Sequence, residues 1–162
     1  MVKDYMPATP AVRFLKERSI HFRPHFFRYE EHGGTRAGAA GIGVPEHLVI
    51  KTLVMETDEG KPLLALMHGD YEVSTRQLAR LLGTKSVSPC EERKAHRLTG
   101  YLFGGTSPFG TRTPLPVFVQ KSILDLNTVY INGGKRGFAV EIAPGALREL
   151  PEVIAGEFAV PA

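Results

Sequence analysis

An apolar run rich in β-branched residues at positions 49–55 is the strongest pattern in the chain, and it predicts a strand. A polar turn at 58–61 and a second apolar run at 62–67 predict its hairpin partner. Further extended segments are predicted at 20–29, 117–119, 128–131 and 138–142. Pro24 indicates a sheet edge or a bulge for the first of these, because proline has no N–H to give to a strand ladder.

Helical spacing of apolar residues predicts short helices between these strands. They are expected at about 9–19, 74–82, 89–98 and 143–150. Thr9, Ser74 and Ser88 are the predicted N-caps of the first three, Pro10 suits the first helical position, and Gly83 marks a helix end.

The segment 33–44 has five glycines and three alanines, so its propensity for any regular element is weak. A short helix at 35–40 and a mobile lid are both compatible with it. The many short strands with peripheral helices predict a mixed α/β fold, in which a curled, barrel-like mixed sheet is surrounded by short helices.

Composition narrows the class of protein only moderately. The chain has 162 residues, of which 43% are hydrophobic and 23% charged, and this suits one compact domain. The net charge of +3 permits an anionic partner without predicting one. The sequence shows no 18-residue apolar run and, at residues 1–7, no apolar signal-peptide core, so the cytosol is the expected location. The single cysteine, Cys90, excludes an internal disulfide.

Lys51 is the first candidate for chemistry. Alternation along the strand places it on the same face as Val49, Leu53 and Met55, so its cation must reach solvent, find a partner or line a cavity. Two interpretations follow. It is either a lysine at a sheet edge, or a lysine in a pocket that binds a phosphate or polarises a carbonyl.

Two glycine-containing segments are the next candidates. Glycines in residues 104–110 would let backbone amides approach a ligand and stabilise an oxyanion, although a tight surface turn has the same composition. The loop lacks the Walker A and dinucleotide-binding patterns. Residues 132–137 predict a hairpin with Lys135 and Arg136 at its tip, where the charges are either simply solvated or in contact with a nucleic-acid backbone.

Other reactive side chains form weaker patterns. Cys90 is near a predicted helix N-terminus, where its pKa could fall, but His96 is six positions away and does not share its helix face. His21 and His25 share a strand face with no acidic or cysteine ligand beside them. The remaining histidines are scattered in sequence, and no metal site is expected from them: His32, His47 and His68.

Four stretches taken together resemble the YbaK family, the free-standing relatives of the editing domain of bacterial prolyl-tRNA synthetases. They are Thr9-Pro10-Ala11, Lys51-Thr52-Leu53, the run from Thr99 to Gly110, and Asn132-Gly133-Gly134-Lys135-Arg136-Gly137. The resemblance extends over about residues 8–158 and implies a single editing domain. It implies a curled mixed sheet with a cleft between the lysine, the glycine-rich loop and the hairpin.

The resemblance also implies an activity, hydrolysis of the ester that joins a wrong amino acid to tRNA, most often cysteine or alanine on proline tRNA. Lys51 corresponds to the lysine that helps to place the 3′-terminal adenosine and the ester, Gly104 begins the loop that faces the scissile carbonyl, and Tyr29 corresponds to an aromatic residue of the pocket. The other implied substrate-binding residues are Gly105, Thr106, Ser107, Pro108, Gly110, Asn132, Gly133 and Gly134. Lys135 and Arg136 are the implied tRNA contacts.

The implied partners are mischarged aminoacyl-tRNA, with tRNA(Pro) first, and a prolyl-tRNA synthetase. The resemblance implies no cofactor, metal, membrane or DNA.

Asn132 replaces a serine of cysteine-editing members, and Ala139 replaces an aspartate of some of them. The stretch between Tyr29 and Lys51 is shorter and richer in glycine than in those members. The sequence therefore leaves open which amino acid is edited, and whether the ester is attacked by a substrate thiol or by water. The alternatives are a non-catalytic module that binds tRNA or a synthetase, and an unrelated hydrolase of small esters or amides.

Overall fold

The computed structural model describes residues 6–162. Residues 1–5 lie outside the described residues, and they make up most of the N-terminal segment in which the sequence shows no signal-peptide core. Within them, the helices are α1 Pro10–Glu17, α2 Gly34–Ile42, α3 Thr75–Leu82 and α4 Glu92–Thr99. The strands are β1 Arg23–Phe26, β2 Val49–Thr57, β3 Pro62–His68, β4 Tyr71–Val73, β5 Val87–Pro89, β6 Val117–Gln120, β7 Val129–Lys135, β8 Phe138–Ile142, β9 Val153–Gly156 and β10 Ala159–Pro161. Among residues 6–162, no helix is long and apolar enough to cross a bilayer.

The main sheet has eight strands in the order β1-β8-β7-β2-β3-β6-β9, with β5 attached to β2, and β10 pairs separately with β4. The sheet contains both parallel pairs (β2–β7, β3–β6 and β6–β9) and antiparallel ones, so the predicted mixed α/β fold is confirmed. Strands β1 and β9 do not pair with each other. The sheet is therefore open, and the expected barrel-like shape applies only loosely.

Local signals place several elements as predicted. Thr9 caps α1 by accepting a hydrogen bond from the Val12 amide, and Pro10 occupies the first turn. Ser74 caps α3 in the same way, and Gly83 ends that helix in the left-handed conformation. Pro24 lies on the edge strand β1, as its missing N–H predicts.

The structure corrects three sequence-based expectations, two of them through pairing with another strand. Ser88 does not cap a helix: it lies in β5 opposite Glu56, and α4 starts only at Glu92. The last helix is a 3-10 helix, Pro144–Glu149. The hairpin turn expected at 132–137 is shorter, because β7 continues to Lys135 through a bulge.

Apolar side chains pack on both faces of the sheet. On one face, Ile50, Leu64 and Leu66 belong to the larger core, which also includes α1. On the other face, Met55 and Met67 pack beneath α3. A small third cluster, which joins Val49 to Ala39 of α2 and Tyr130 of β7, lies on this same second face. Lys51 lies between these two clusters along β2.

Candidate functional site

Lys51 projects from an internal strand of the sheet. β2 is flanked by β7 and β3, so the alternative of a lysine at a sheet edge is wrong. The side chain is half-buried, and no hydrogen-bond or ion-pair partner for its ammonium group is found within residues 6–162. A half-buried cation without a protein partner can receive an anionic or carbonyl oxygen from a ligand.

The parallel pairing of β2 with β7 ends beside Lys51. Val49 pairs with Tyr130 and Ile50 with Ile131, and the next residues along the two strands are Lys51 and Asn132. Residues side by side on neighbouring strands share a face of the sheet. Lys51 and Asn132 are therefore neighbours on the face that α2 and α3 cover in part.

Asn132 connects the strand bulge to the glycine-rich loop. Its side-chain oxygen accepts hydrogen bonds from the amides of Gly134 (2.7 Å) and Lys135 (3.1 Å), and these contacts fix the bulge. Its side-chain nitrogen donates to the carbonyl oxygen of Gly104 at 3.1 Å. One side chain thus brings the loop next to the strand position of Lys51, a role that the sequence pattern did not indicate.

Positions 104 and 105 require glycine because other atoms lie too close to the backbone there to leave room for a side chain. Gly104 has φ +87°, and a Cβ added there would lie 2.8 Å from the ring of Tyr29. A Cβ on Gly105 would lie 2.9 Å from the backbone nitrogen of Arg136. The loop therefore lies directly between the Tyr29 ring and the β7–β8 turn.

The middle of the loop is buried. Thr106 donates through its hydroxyl to the carbonyl of Leu102 (3.3 Å), and Ser107 accepts from the amide of Phe109 (3.2 Å). Together with Pro108, these side chains support the loop from inside, so a ligand would meet its backbone. In the described chain, the hydrogen bonds of the loop leave the amides of Thr106 and Ser107 without an acceptor.

Arg136 and Tyr29 form the exposed border of the site. The guanidinium of Arg136 donates from Nε to the carbonyl of Phe103 (2.9 Å) and lies 5.0 Å from the centre of the Tyr29 ring. Lys135, beside it, is exposed. The tip of the hairpin is thus tied to the loop through Arg136.

The remaining predicted residues pack against α1. The Thr9 hydroxyl, besides capping α1, donates to the carbonyl of Gly133. Gly134 lies against Tyr101, and Gly110 against the carbonyl of Pro10. These glycines thus lie where α1, the loop and the hairpin meet. The sequence pattern gave no sign of the bond between Thr9 and Gly133.

Cys90 does not have the lowered pKa that its position near a helix start suggested. Its side chain is buried, and its thiol lies 3.7 Å from a carboxylate oxygen of Glu56. Burial, reinforced by the negative charge of Glu56, raises the pKa of the thiol. The thiol is therefore protonated near neutral pH and is a poor nucleophile.

His47 and His68 are not scattered in space, which corrects the prediction from sequence. Their rings stack at 3.8 Å, and together with Asp70 they form a compact group. Nδ1 of His47 lies 2.9 Å from Asp70, and Nδ1 of His68 donates to the carbonyl of His47. Imidazole lone pairs lie in the ring plane, so two rings inclined by only 5° do not direct them to one point. The stack suits packing better than it suits a metal ion.

The contacts described above lead from the strand position of Lys51 through Asn132 to the glycine-rich loop, and from the loop to the Tyr29 ring. A cation, a side-chain amide and loop N–H groups can together hold and polarise an activated carbonyl. An arrangement of this kind suits the class of proteins that position an ester or a similar group for hydrolysis.

Comparison with known proteins agrees with this class. The aminoacyl-tRNA editing domain family matches residues 31–150, and the chain belongs to that family. A protein of Enterococcus faecalis named as a candidate Cys-tRNA(Pro)/Cys-tRNA(Cys) deacylase, EbsC, is 28% identical over 158 residues, which cover 97% of this chain and 94% of the relative. The predicted enzyme class, aminoacyl-tRNA deacylase, is confirmed.

Two further similarities concern a synthetase and a solved structure. The proline–tRNA ligase of Streptococcus equi subsp. zooepidemicus is 31% identical over 100 residues, 62% of this chain but only 16% of the ligase. The crystal structure of a candidate trans-editing enzyme for prolyl-tRNA synthetase has a TM-score of 0.82 at 22% identity, covering 96% of this chain and 99% of that one. That likeness confirms the fold.

Proposed function

We propose that this protein hydrolyses the ester bond of mischarged aminoacyl-tRNA in trans, with Cys-tRNA(Pro) and Ala-tRNA(Pro) as its first candidate substrates. The observation that carries the proposal is the position of Lys51, next to Asn132, whose amide group is bonded to Gly104. In this proposal, the ester lies between the cation and the glycine-rich loop. The substrate choice is supported by the names of the relatives.

In this proposal, Lys51 holds the 3′-terminal adenosine and the ester group, and the loop amides stabilise the negative charge that develops on the carbonyl oxygen. An aminoacyl ester is already activated, so positioning and charge stabilisation are sufficient without a protein nucleophile. The attacking group is then water for alanine, and water or the substrate's own thiol for cysteine. In each case the tRNA 3′-terminal hydroxyl leaves, and after thiol attack water opens the resulting cyclic thioester. Proline is rejected by the size of the pocket.

The Tyr29 ring and the backbone of Gly105 to Gly110 form the walls of the amino-acid pocket in this proposal, with the Asn132–Gly134 bulge beside them. Lys135 and Arg136 contact the tRNA backbone. The domain spans residues 8–158, acts in the cytoplasm, and works on tRNA released by prolyl-tRNA synthetase. The relation to the ligase sequence supports this partner.

Single-turnover deacylation of tRNA(Pro) charged with cysteine, alanine, serine or proline tests the proposal. We expect rapid loss of at least one mischarged species, with prolyl-tRNA spared. Lys51→Met keeps the apolar stem and removes the charge, and we expect a rate about 10²-fold lower. Lys61→Met, on the exposed turn after β2, is the matched control and should keep the rate of the unchanged protein.

Near-full activity of Lys51→Met would show that the lysine is not part of the catalytic site. Stability of every charged tRNA in the presence of the unchanged protein, together with retained tRNA binding, would favour the non-catalytic binding module. Hydrolysis of free amino-acid esters alone would indicate a hydrolase of small esters instead.

A further inference from the structure

One exposed face of α4 carries an uncompensated positive charge. Arg93, His96 and Arg97 are spaced three and four residues apart and therefore share this face. Together with Arg112 they line an open depression of about 600 Å³, in which Glu92 supplies the one carboxylate. We call this depression the α4 groove.

The arginines of the α4 groove have no acidic partner. Among the ion pairs within residues 6–162, none includes Arg93, Arg97 or Arg112. Lys94 of the same helix, by contrast, points away from the groove and is bonded to Glu56 at 2.5 Å. The other face of α4 thus carries an ion pair, whereas the groove holds three arginines and the single carboxylate of Glu92.

Helix stability does not explain this arrangement. Two arginines four residues apart repel each other, at a cost of a few tenths of a kcal/mol. Arg93 is in the first turn of α4, where the helix dipole disfavours a positive charge. Arg97, in the last turn, is favoured by the dipole, but Arg93 gains nothing from it. An external anion is the partner that would compensate both.

The α4 groove is connected directly to the loop of the candidate site. α4 ends at Gly100, and the chain then passes into the loop that contains Gly104. Arg112 follows the loop: its amide donates to the carbonyl of Thr99, and its guanidinium lies 3.5 Å from where a Cβ of Gly100 would be. Both ends of the loop therefore begin at the groove.

The shape of the groove favours a polyanion over a small ligand. Its lining side chains are exposed, whereas small-molecule sites are concave and enclose most of the ligand. Guanidinium groups match phosphate oxygens in paired hydrogen bonds, and rows of them provide backbone contacts that carry no sequence information. Leu102 and Phe103, 51% and 42% exposed, lie between α4 and Gly104 and offer an apolar surface on which unpaired bases can stack.

We propose that the α4 groove binds the phosphate backbone of the tRNA acceptor stem, and that the stem reaches the site past Leu102 and Phe103. This rests on the proposed function, because it identifies the surface that holds the same tRNA whose 3′ end lies at Lys51. It adds a docking surface outside the cleft, on a helix that sequence reasoning had left without a role.

A second basic helix provides a matched control. Arg76 and Arg80 of α3 are also exposed and four residues apart, and they line a smaller depression of about 370 Å³ with Lys85. α3 is followed by β5, not by the glycine-rich loop. Arg93→Gln/Arg97→Gln and Arg76→Gln/Arg80→Gln therefore remove equal charge from two surface helices, of which only α4 leads along the chain into the glycine-rich loop.

Binding of uncharged tRNA(Pro) is measured for both double variants from 50 to 300 mM salt. We expect Arg93→Gln/Arg97→Gln to bind roughly tenfold more weakly and to lower the salt slope by about 2, one for each lost phosphate contact. Arg76→Gln/Arg80→Gln should bind as the unchanged protein does. Equal losses in the two variants, or no loss in the first, would overturn the proposal.

Deacylation separates this inference from the proposed function. With a short aminoacylated CCA oligonucleotide, which has no acceptor stem, the Arg93→Gln/Arg97→Gln variant should match the unchanged protein, while its KM for whole charged tRNA rises. An unchanged KM for whole tRNA would contradict tRNA binding at the α4 groove, and it would leave the proposed function standing. If the unchanged protein hydrolyses neither substrate, the proposed function fails, and the binding measurement still decides whether the groove holds RNA.

Discussion

Two glycine-rich segments of this protein pack against the same short stretch of chain in different ways. In α2, Gly38 and Gly41 face the ring and the Cβ of Phe27. In the loop after α4, Gly104 faces the ring of Tyr29. The first segment is a regular helix, and the second is irregular and held by its own side chains. The same composition thus serves two purposes.

In α2, glycine acts as a spacer. The helix needs no unusual backbone angle at Gly38 or Gly41, and the missing side chains only let it approach Phe27. In the loop, glycine supplies a left-handed angle at Gly104 and a contact between two backbones at Gly105. We therefore expect the loop to tolerate substitution far less well than α2, and the following predictions test that difference from the largest effect to the smallest.

Gly105→Ala should have the largest effect. The added methyl would meet the backbone of Lys135 and Arg136, which cannot rotate away, so the loop must move from the hairpin. We expect a loss of about 1–3 kcal/mol of stability and about 10²-fold slower deacylation. Denaturant unfolding and single-turnover rates measure these. Gly145→Ala, which meets no atom within 4 Å, is the control and should change neither.

Gly104→Ala should come next, since it combines a strained φ, at about 1–2 kcal/mol, with a clash against a ring. The ring can be removed, so the double variant Tyr29→Ala/Gly104→Ala should recover the part of the stability that the clash costs. A double-mutant cycle in urea measures this coupling. Additive effects would show that the loop does not lie against Tyr29.

Within α2, two neighbouring glycines should respond with opposite signs. A methyl at Gly38 would lie 3.5 Å from the Phe27 ring, an ordinary contact, so Gly38→Ala should stabilise the protein by about 0.5–1 kcal/mol through the better helix propensity of alanine. A methyl at Gly41 would lie 2.7 Å from the Cβ of Phe27, so Gly41→Ala should destabilise it by about 1 kcal/mol. Thermal unfolding of the two variants checks this, and equal shifts would contradict it.

The smallest expected effect is a pH dependence of the free energy of unfolding, which arises at the His47–His68 stack next to α2. Thr35 of α2 is bonded to Glu46 and Gly69, each next to one ring of the His47–His68 stack. Burial lowers the pKa of His68 below its ordinary value of 6.5, so the unfolded chain binds this proton more tightly. The stability that the folded protein gains from the neutral His68 ring is complete above pH 6.5, and it is lost as the pH falls below that value.

Unfolding free energies between pH 5 and 8 measure this dependence. His68→Gln should flatten the slope below pH 6.5, whereas His96→Gln, on the exposed face of α4, should leave it unchanged. The charged groups that act on His68 are His47, Asp70 and Glu157, so variants of these three residues are measured as further controls. An unaltered slope in His68→Gln would assign the dependence to those neighbours.

The sequence predicted the elements that local signals determine. The caps at Thr9 and Ser74 and the hairpin around residues 58–61 depend on neighbours within a few positions. Ser88 failed as a cap because its backbone pairs with Glu56, a contact with another strand. The stacked His47 and His68 were missed for the same reason, since a ring contact across strands leaves no pattern along the chain.

The sequence pattern singled out Lys51, the glycine-rich loop and the hairpin as candidates, whereas only the resemblance to a family gave them roles and added Tyr29. The pattern alone left Lys51 as an edge lysine or a pocket lysine, and the topology of the sheet excludes an edge strand. It gave no sign that Asn132 is bonded to Gly104, or Thr9 to Gly133. The α4 groove was equally invisible, because it depends on which acidic residues are absent from one helix face.

The contact between Thr9 and Gly133 spans 124 residues, and strand β1 pairs with β8 over a similar separation. Such distant contacts give a high contact order, which is associated with slow folding because the connecting chain must lose its freedom before the contact forms. A nascent chain would contain Lys51 and the glycine-rich loop well before β7 and β8 leave the ribosome. The candidate site can form only when nearly the whole chain has been made, so a truncated product would carry the lysine and the loop without the strands β7 and β8.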